Sequence, residues 1–251
     1  MSQDYILQAQ GLTKTFAGFT AVSGVNLDVR RHDIHALIGP NGAGKTTCFN
    51  LLTRFLNPTS GRIVYNGRDI TNTSAARVAD AGLVRSFQIS SVFSGMSVLE
   101  NVRVALQRAT GLSTKFWLSE RRLARLDEPA RALLADVGLA ADANRLAGSL
   151  PYGRRRALEL ATTLALAPDM ILLDEPMAGL GHEDIDPVMA LIRRAAEGRT
   201  VLMVEHNMRV IAQLCDRVTV LRAGETLAEG SYAEVAADPR VIEAYVGGTN
   251  D

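Results

Sequence analysis

The sequence carries no surplus of charge of either sign, almost no cysteine and no long apolar run. Its 27 lysines and arginines balance its 27 aspartates and glutamates, for a formal net charge of zero over 251 residues. That balance argues against nucleic acid as a main partner, since such partners call for a basic surface. The two cysteines, Cys48 and Cys215, stand far apart. A single bridge is open on count alone. Cys48 directly behind a glycine-rich loop reads more simply as a small buried residue in a reducing compartment. No window of about 18 apolar residues exists, so no bilayer-spanning helix is expected. The run from Ala157 to Ala167 comes closest, interrupted by Glu159 and stopped by Pro168. The polar start Met1-Ser2-Gln3-Asp4 shows no secretory signal, which predicts a cytoplasmic chain that reaches a membrane only by docking. No internal repeat or low-complexity tract is present. What remains is ordinary for a globular protein, 47% apolar and 22% charged, and long enough for a full core.

The first third reads as antiparallel strand. Tyr5 to Ala9 and Val25 to Val29 alternate apolar and polar residues, as half-buried strands do. Arg62 to Tyr65, closed by Asn66-Gly67, adds a strand with a hairpin turn. Four later runs differ in kind: Ile34 to Ile38, Met170 to Leu173, Val201 to Val204 and Val218 to Leu221 are short and dense in apolar residues. Such runs, most of them alternating with helical segments, predict a parallel sheet covered on both faces. Between residues 88 and 159 the texture turns helical, with breaks at Gly111, Pro129, Gly138 and Gly148.

The segment Gly39, Pro40, Asn41, Gly42, Ala43, Gly44, Lys45, Thr46, Thr47 follows the first of those runs and precedes a helix. A glycine, four residues and Gly-Lys-Thr between strand and helix form a phosphate-binding loop. Glycines let backbone N–H groups wrap a phosphate, and the helix N-terminus adds partial positive charge. Lys45 is placed to reach the terminal phosphates of a nucleotide, and the Thr46 hydroxyl to ligate Mg²⁺. Phosphoryl transfer needs further groups at the same sheet edge. Asp174, at the end of an apolar run, suits a second Mg²⁺ contact; Glu175 suits the base that takes a proton from water. His206 ends the next apolar run, where an imidazole N–H meets a γ-phosphate. Gln88 stands where core gives way to helical segment and offers an amide to Mg²⁺ or the attacking water.

In this order, with Leu172-Leu173-Asp174-Glu175-Pro176 between a glycine-bearing helix start and the histidine, the chain resembles the ATP-binding cassette (ABC) ATPases over nearly its full length. That resemblance implies an α/β P-loop NTPase (RecA-like) core with an N-terminal antiparallel β-subdomain and an inserted α-helical subdomain. A single ATPase domain over 1–251 is expected, with 1–87 and 160–251 as core and 88–159 as the helical subdomain. The segment Leu150-Pro151-Tyr152-Gly153-Arg154 takes the place of the family signature, so Gly153 is implied in binding the ATP held by a second cassette. Phe16 matches the aromatic that stacks on adenine. The implied catalytic residues are Glu175, His206 and Gln88, and the implied Mg²⁺ contacts are Thr46, Gln88 and Asp174.

The Leu-x-Tyr-Gly signature, the segment from Met96 to Val102 and the ending Pro239 to Gly247 resemble one branch, the ATPase subunits of bacterial branched-chain amino acid importers. The branch implies a second ABC ATPase subunit, polytopic permeases, a periplasmic solute-binding protein, and a place at the inner face of the membrane. Lipid-export ATPases and soluble cassette proteins share much of the pattern. Two departures matter. Pro151 replaces the signature serine and removes its hydroxyl, leaving Arg154 either to compensate electrostatically or to face solvent. Gly181 stands where the family carries aspartate or asparagine.

Overall fold

The computed structural model describes residues 4–86, 92–109 and 124–246; Gln88 lies outside them. The chain forms two compact units. One takes residues 1–85, 169–176 and 196–251, the other 86–168 and 177–195.

The first unit holds two sheets. β1 (Tyr5–Phe16) and β2 (Phe19–Arg30) pair antiparallel, and β1 also pairs with β4 (Ser60–Tyr65), which turns back into β5 (Arg68–Asp69). The Asn66-Gly67 turn has φ of 48° and 72°, the left-handed pair that matches strand twist in a two-residue hairpin. β1 and β2 run 12 residues each, well beyond the alternating cores visible in sequence, because register shifts near Ala9 and Leu12 let the ladder continue past the breaks in alternation.

The second sheet has the order β10-β9-β3-β8-β7-β6, built from β3 (Ile34–Ile38), β6 (Leu83–Ser86), β7 (Met170–Asp174), β8 (Thr200–Val204), β9 (Arg217–Arg222) and β10 (Glu225–Gly230). β3 is parallel to β8 and β9, and β7 is parallel to β8, while β10 returns antiparallel to β9. Every residue of β3, β7 and β8 is buried, which is why these strands read as solid apolar runs. Helix α1 (Lys45–Leu52) buries Cys48, Phe49, Leu51 and Leu52 in one core with Leu7, Leu27 and Tyr65 of the first sheet and Leu172 and Leu202 of the second. Both cysteines are free thiols, and burial pushes that of Cys48 up to about 12.

The second unit is helical. α3 (Val98–Ala109), α4 (Asp127–Asp136), α5 (Tyr152–Leu164) and most of α6 (His182–Ala196) belong to it; α2 (Ala75–Asp80) lies in the first unit. The division differs from the boundary expected at residue 159. α5 runs unbroken for 13 residues to Leu164, so a boundary inside it would cut a continuous hydrogen-bonded helix. Ser97 and Glu100 cap α3 reciprocally, with the Ser97 N–H donating to Glu100 Oε2 at 2.7 Å and the Glu100 N–H to Ser97 Oγ at 3.2 Å. This S-x-x-E capping box satisfies donors that no helical carbonyl can reach.

β3 also carries a pH-dependent element of stability. His35 is fully buried, with Nε2 2.8 Å from Thr219 Oγ1. Burial, and to a smaller degree the Arg217 charge, lowers its pKa from 6.5 to about 3. The folded chain therefore keeps a neutral imidazole where the unfolded chain binds a proton. Stability should be independent of His35 above 6.5 and fall by about 1.4 kcal/mol per pH unit below it. Urea unfolding at pH 5 against pH 7 should show a loss of about 2 kcal/mol that His35→Leu lacks. An equal loss in the variant would assign the effect to other groups.

Candidate functional site

The site begins where β3 ends. Gly39 to Gly44 form a loop that delivers the chain into α1 at Lys45, and Gly44 caps that helix with φ of 95°. Only glycine fits at two of these positions. A Cβ on Gly39 would stand 2.2 Å from the Leu221 carbonyl oxygen, and one on Gly44 2.5 Å from that of Ala21. The loop is thereby pressed against neighbouring backbone, with its outer side open. Lys45 Nζ donates to the loop's own carbonyls, Gly39 O at 2.8 Å and Pro40 O at 2.9 Å. Burial lowers the Lys45 pKa, and the nearby Glu175 charge opposes that shift.

An open pocket of about 360 Å³ lies over the loop, lined by Asn41 to Thr47, by Glu175 and His206, and by Phe19 and Ala21. Glu175 follows β7 directly and adopts φ of 47°, a left-handed backbone that a side chain rarely takes. Pro176 disfavours the right-handed alternative. The Glu175 N–H donates to Val204 O at 2.9 Å, and this turn aims its carboxylate at His206, whose Nε2 lies 3.1 Å from Glu175 Oε1. His206 is itself held by its neighbour. The carboxylate of Glu205 accepts the His206 N–H at 2.6 Å and the Asn207 N–H at 2.9 Å. Asn207 then caps α7 (Met208–Leu214) by accepting from Arg209 and Val210 N–H. Sequence spacing gave no sign of Glu205, because its role is to bind backbone rather than to face the pocket.

The expected residues do not all converge. Gly39 and Pro40 open the loop below the pocket wall. Asp174 sits one residue from Glu175 but is buried, and its carboxylate is ion-paired with Arg85 of β6. Phe16 is off the pocket wall, and Phe19 lines it instead. The two are register partners across the Ala17-Gly18 turn, with Lys14 Nζ 5.0 Å above the Phe16 ring. Both aromatics are exposed, so the strand-end pair Phe-x-x-Phe was the available signal for Phe19.

In the helical unit, Gly153 lies in the first turn of α5, behind Pro151 as N-cap. A Cβ there would meet the Asp184 carboxylate at 2.9 Å. The Arg154 side chain is half-exposed, and its guanidinium is ion-paired with the buried Asp142. The Tyr152 hydroxyl donates to Ala178 O at 3.0 Å and accepts from Arg156 at 2.9 Å. The helix start is thus tied to the Met177–Gly179 loop.

A glycine loop between a buried parallel strand and a helix, with a lysine, two threonines and a Glu–His pair at the carboxyl edge of the sheet, defines a P-loop nucleoside-triphosphatase. Comparison with known proteins gives the particular family. Residues 22–178 match the ABC transporter family model, and residues 225–249 match that of branched-chain amino acid ATP-binding cassette transporters. The chain is 40% identical to the high-affinity branched-chain amino acid transport ATP-binding protein BraF of Pseudomonas aeruginosa, over 96% of this chain and 98% of that protein. It is 38% identical to LivG of Escherichia coli, covering 98% of this chain and 99% of the relative. A nucleotide-free ATP-binding cassette from an ABC transporter superposes with a TM-score of 0.84 at 30% identity, over 96% of this chain and 98% of that one. A cassette solved in its ADP conformation superposes at 0.83 with 29% identity, over 97% and 99%. The chain belongs to the ABC transporter family, as an ATP-binding and ATP-hydrolysing subunit.

Proposed function

We propose that this chain powers the import of branched-chain amino acids or closely related small solutes. It docks through permease subunits on the inner face of the membrane and draws solute from a periplasmic binding protein. The observation that carries this reading is the match of residues 225–249 to the branched-chain family. The matched segment includes β10 and two short helices, α8 (Tyr232–Ala237) and α9 (Pro239–Val246). No helix among the described residues is long and apolar enough to cross a membrane, which agrees with a subunit that docks.

The whole chain acts as one ATPase domain in this reading. Backbone N–H groups of Gly39 and of Asn41 to Thr47 and the Lys45 ammonium bind the phosphates, and the aromatic pair Phe16 and Phe19 offers its ring faces to the base. Glu175 takes the proton from the attacking water while the His206 N–H holds the terminal phosphate. Thr46, Asp174 and Gln88 would hold Mg²⁺. The oxygen donors at the start of α1 and the end of β7 suit a hard cation, which neutralises phosphate charge when bound. Gly153 and the N-terminus of α5 serve an ATP bound by a second cassette in this reading. A homodimer or a pair with a paralogue completes the site.

Reconstitution with its permeases and binding protein in liposomes tests the solute class. Leucine, isoleucine or valine on the binding-protein side should raise ATP turnover several-fold. Stimulation by lipid with no response to any amino acid would reject the reading.

A further inference from the structure

Arg85 makes contacts that the family match and the pocket leave unexplained. It sits on β6, three residues before Gln88 in sequence. One nitrogen of its guanidinium is ion-paired with Asp174 Oδ2, and the other donates to Asn50 Oδ1 at 2.5 Å. The group also lies over the Phe49 ring, 5.8 Å from its centre. The side chains of Arg85 and Asp174 are only 10% and 2% exposed. One planar cation thus joins three elements: the end of β6, the middle of α1 and the end of β7. Those elements carry Lys45 and Thr46 at the start of α1, and Asp174 and Glu175 at the end of β7.

Burying a carboxylate without a cation beside it is costly, and among the described residues Arg85 is the cation paired with Asp174. The pairing also fixes orientation. Oδ2 is taken by Arg85, which leaves Oδ1 as the oxygen available to another cation. A ligating carboxylate held by a neighbouring group binds metal better than one free to rotate, and removal of such a neighbour costs roughly 10–100-fold in metal affinity. A lysine could supply the charge but not the fork that reaches Asp174 and Asn50 together.

We propose that Arg85 is a positioning residue for the metal-dependent part of ATP binding. Its guanidinium, braced on Asn50 and Phe49, holds the Asp174 carboxylate in the orientation that presents Oδ1 to Mg²⁺ or its water shell. This rests on the reading that Asp174 serves the metal, and the experiment separates the two. ATP affinity of the isolated subunit is measured in Mg²⁺ and in EDTA, and the ratio of the two is compared among variants.

Asp174→Asn and Arg85→Met should each lower that ratio by about tenfold, while affinity in EDTA stays within about twofold of the parent chain. The double variant should be no worse than the more severe single one, as expected when two side chains act as a unit. Arg85→Lys should fall between parent and Arg85→Met. A merely structural arginine would move the melting temperature and leave the ratio alone. Loss of the ratio in Asp174→Asn with a parental ratio in folded Arg85→Met would overturn the proposal but spare the metal reading. A parental ratio in Asp174→Asn would remove both. Should Arg85→Met fail to fold, an unchanged ratio in Arg85→Lys together with Asn50→Ala overturns the proposal in its place.

Discussion

Glu175→Gln should lower ATP turnover of the assembled transporter by about two to four orders of magnitude, the range lost when a positioned general base is removed. ATP binding should change by less than about threefold, because the side chain keeps its shape and the phosphate loop is untouched. Glutamine can still meet His206 Nε2, as glutamate does at 3.1 Å, but it cannot accept a proton from water. Turnover assays beside equilibrium ATP binding decide the matter, and a variant that hydrolyses normally would reject Glu175 as the base. The left-handed backbone at this residue, φ of 47°, allows a second variant. Glu175→Gly removes the carboxylate and also relieves a strain of about 1–2 kcal/mol. It should be as inactive as Glu175→Gln yet no less stable than the parent chain. Strain and chemistry are then separated, with unfolding reporting the first and turnover the second.

The second large effect belongs to Gly39→Ala. The new methyl would stand 2.2 Å from the Leu221 carbonyl oxygen, a backbone atom of the adjacent parallel strand that cannot swing aside. β3 and β9 are in register at Ile38 and Val220, so Leu221 lies beside the loop entrance by construction of the sheet. Either the strand or the loop must move. ATP affinity should fall beyond measurement, and stability by about 2–4 kcal/mol. Gly138→Ala is the matched control. It has φ of 75° and nothing within 4 Å of the added Cβ, so it should cost only about 1 kcal/mol of backbone strain and leave ATP binding unchanged. Equal effects from the two substitutions would show that conformational strain, and not the clash, explains Gly39.

Much of this site was legible in sequence because its parts are local. The phosphate loop is a contiguous motif whose meaning depends on one strand before it and one helix after it. β7 and β8 announce themselves by the dense apolar runs Met170 to Leu173 and Val201 to Val204, and chemically capable residues follow each run within two positions. The Ser97–Glu100 cap and the Asn66-Gly67 turn are equally local, the former present in the sequence and unread. Phe19 lines the pocket while the resemblance points to Phe16, and which ring reaches the wall depends on where the β1–β2 turn carries each.

By itself the sequence determined which segments become strand, loop and helix, since hydrophobic period, glycine freedom and capping act over a few residues. It also determined which residue types stand at the strand ends. Only the tertiary structure decided which of those side chains meet. Glu175 and His206 are 31 positions apart and Arg85 and Asp174 are 89 apart. Their pairing follows from the order and register of parallel strands, which is set by the packing of the whole sheet and leaves no local trace. The same holds for Gly39, whose obligatory glycine reflects the Leu221 carbonyl of a distant strand as much as the phosphate it faces.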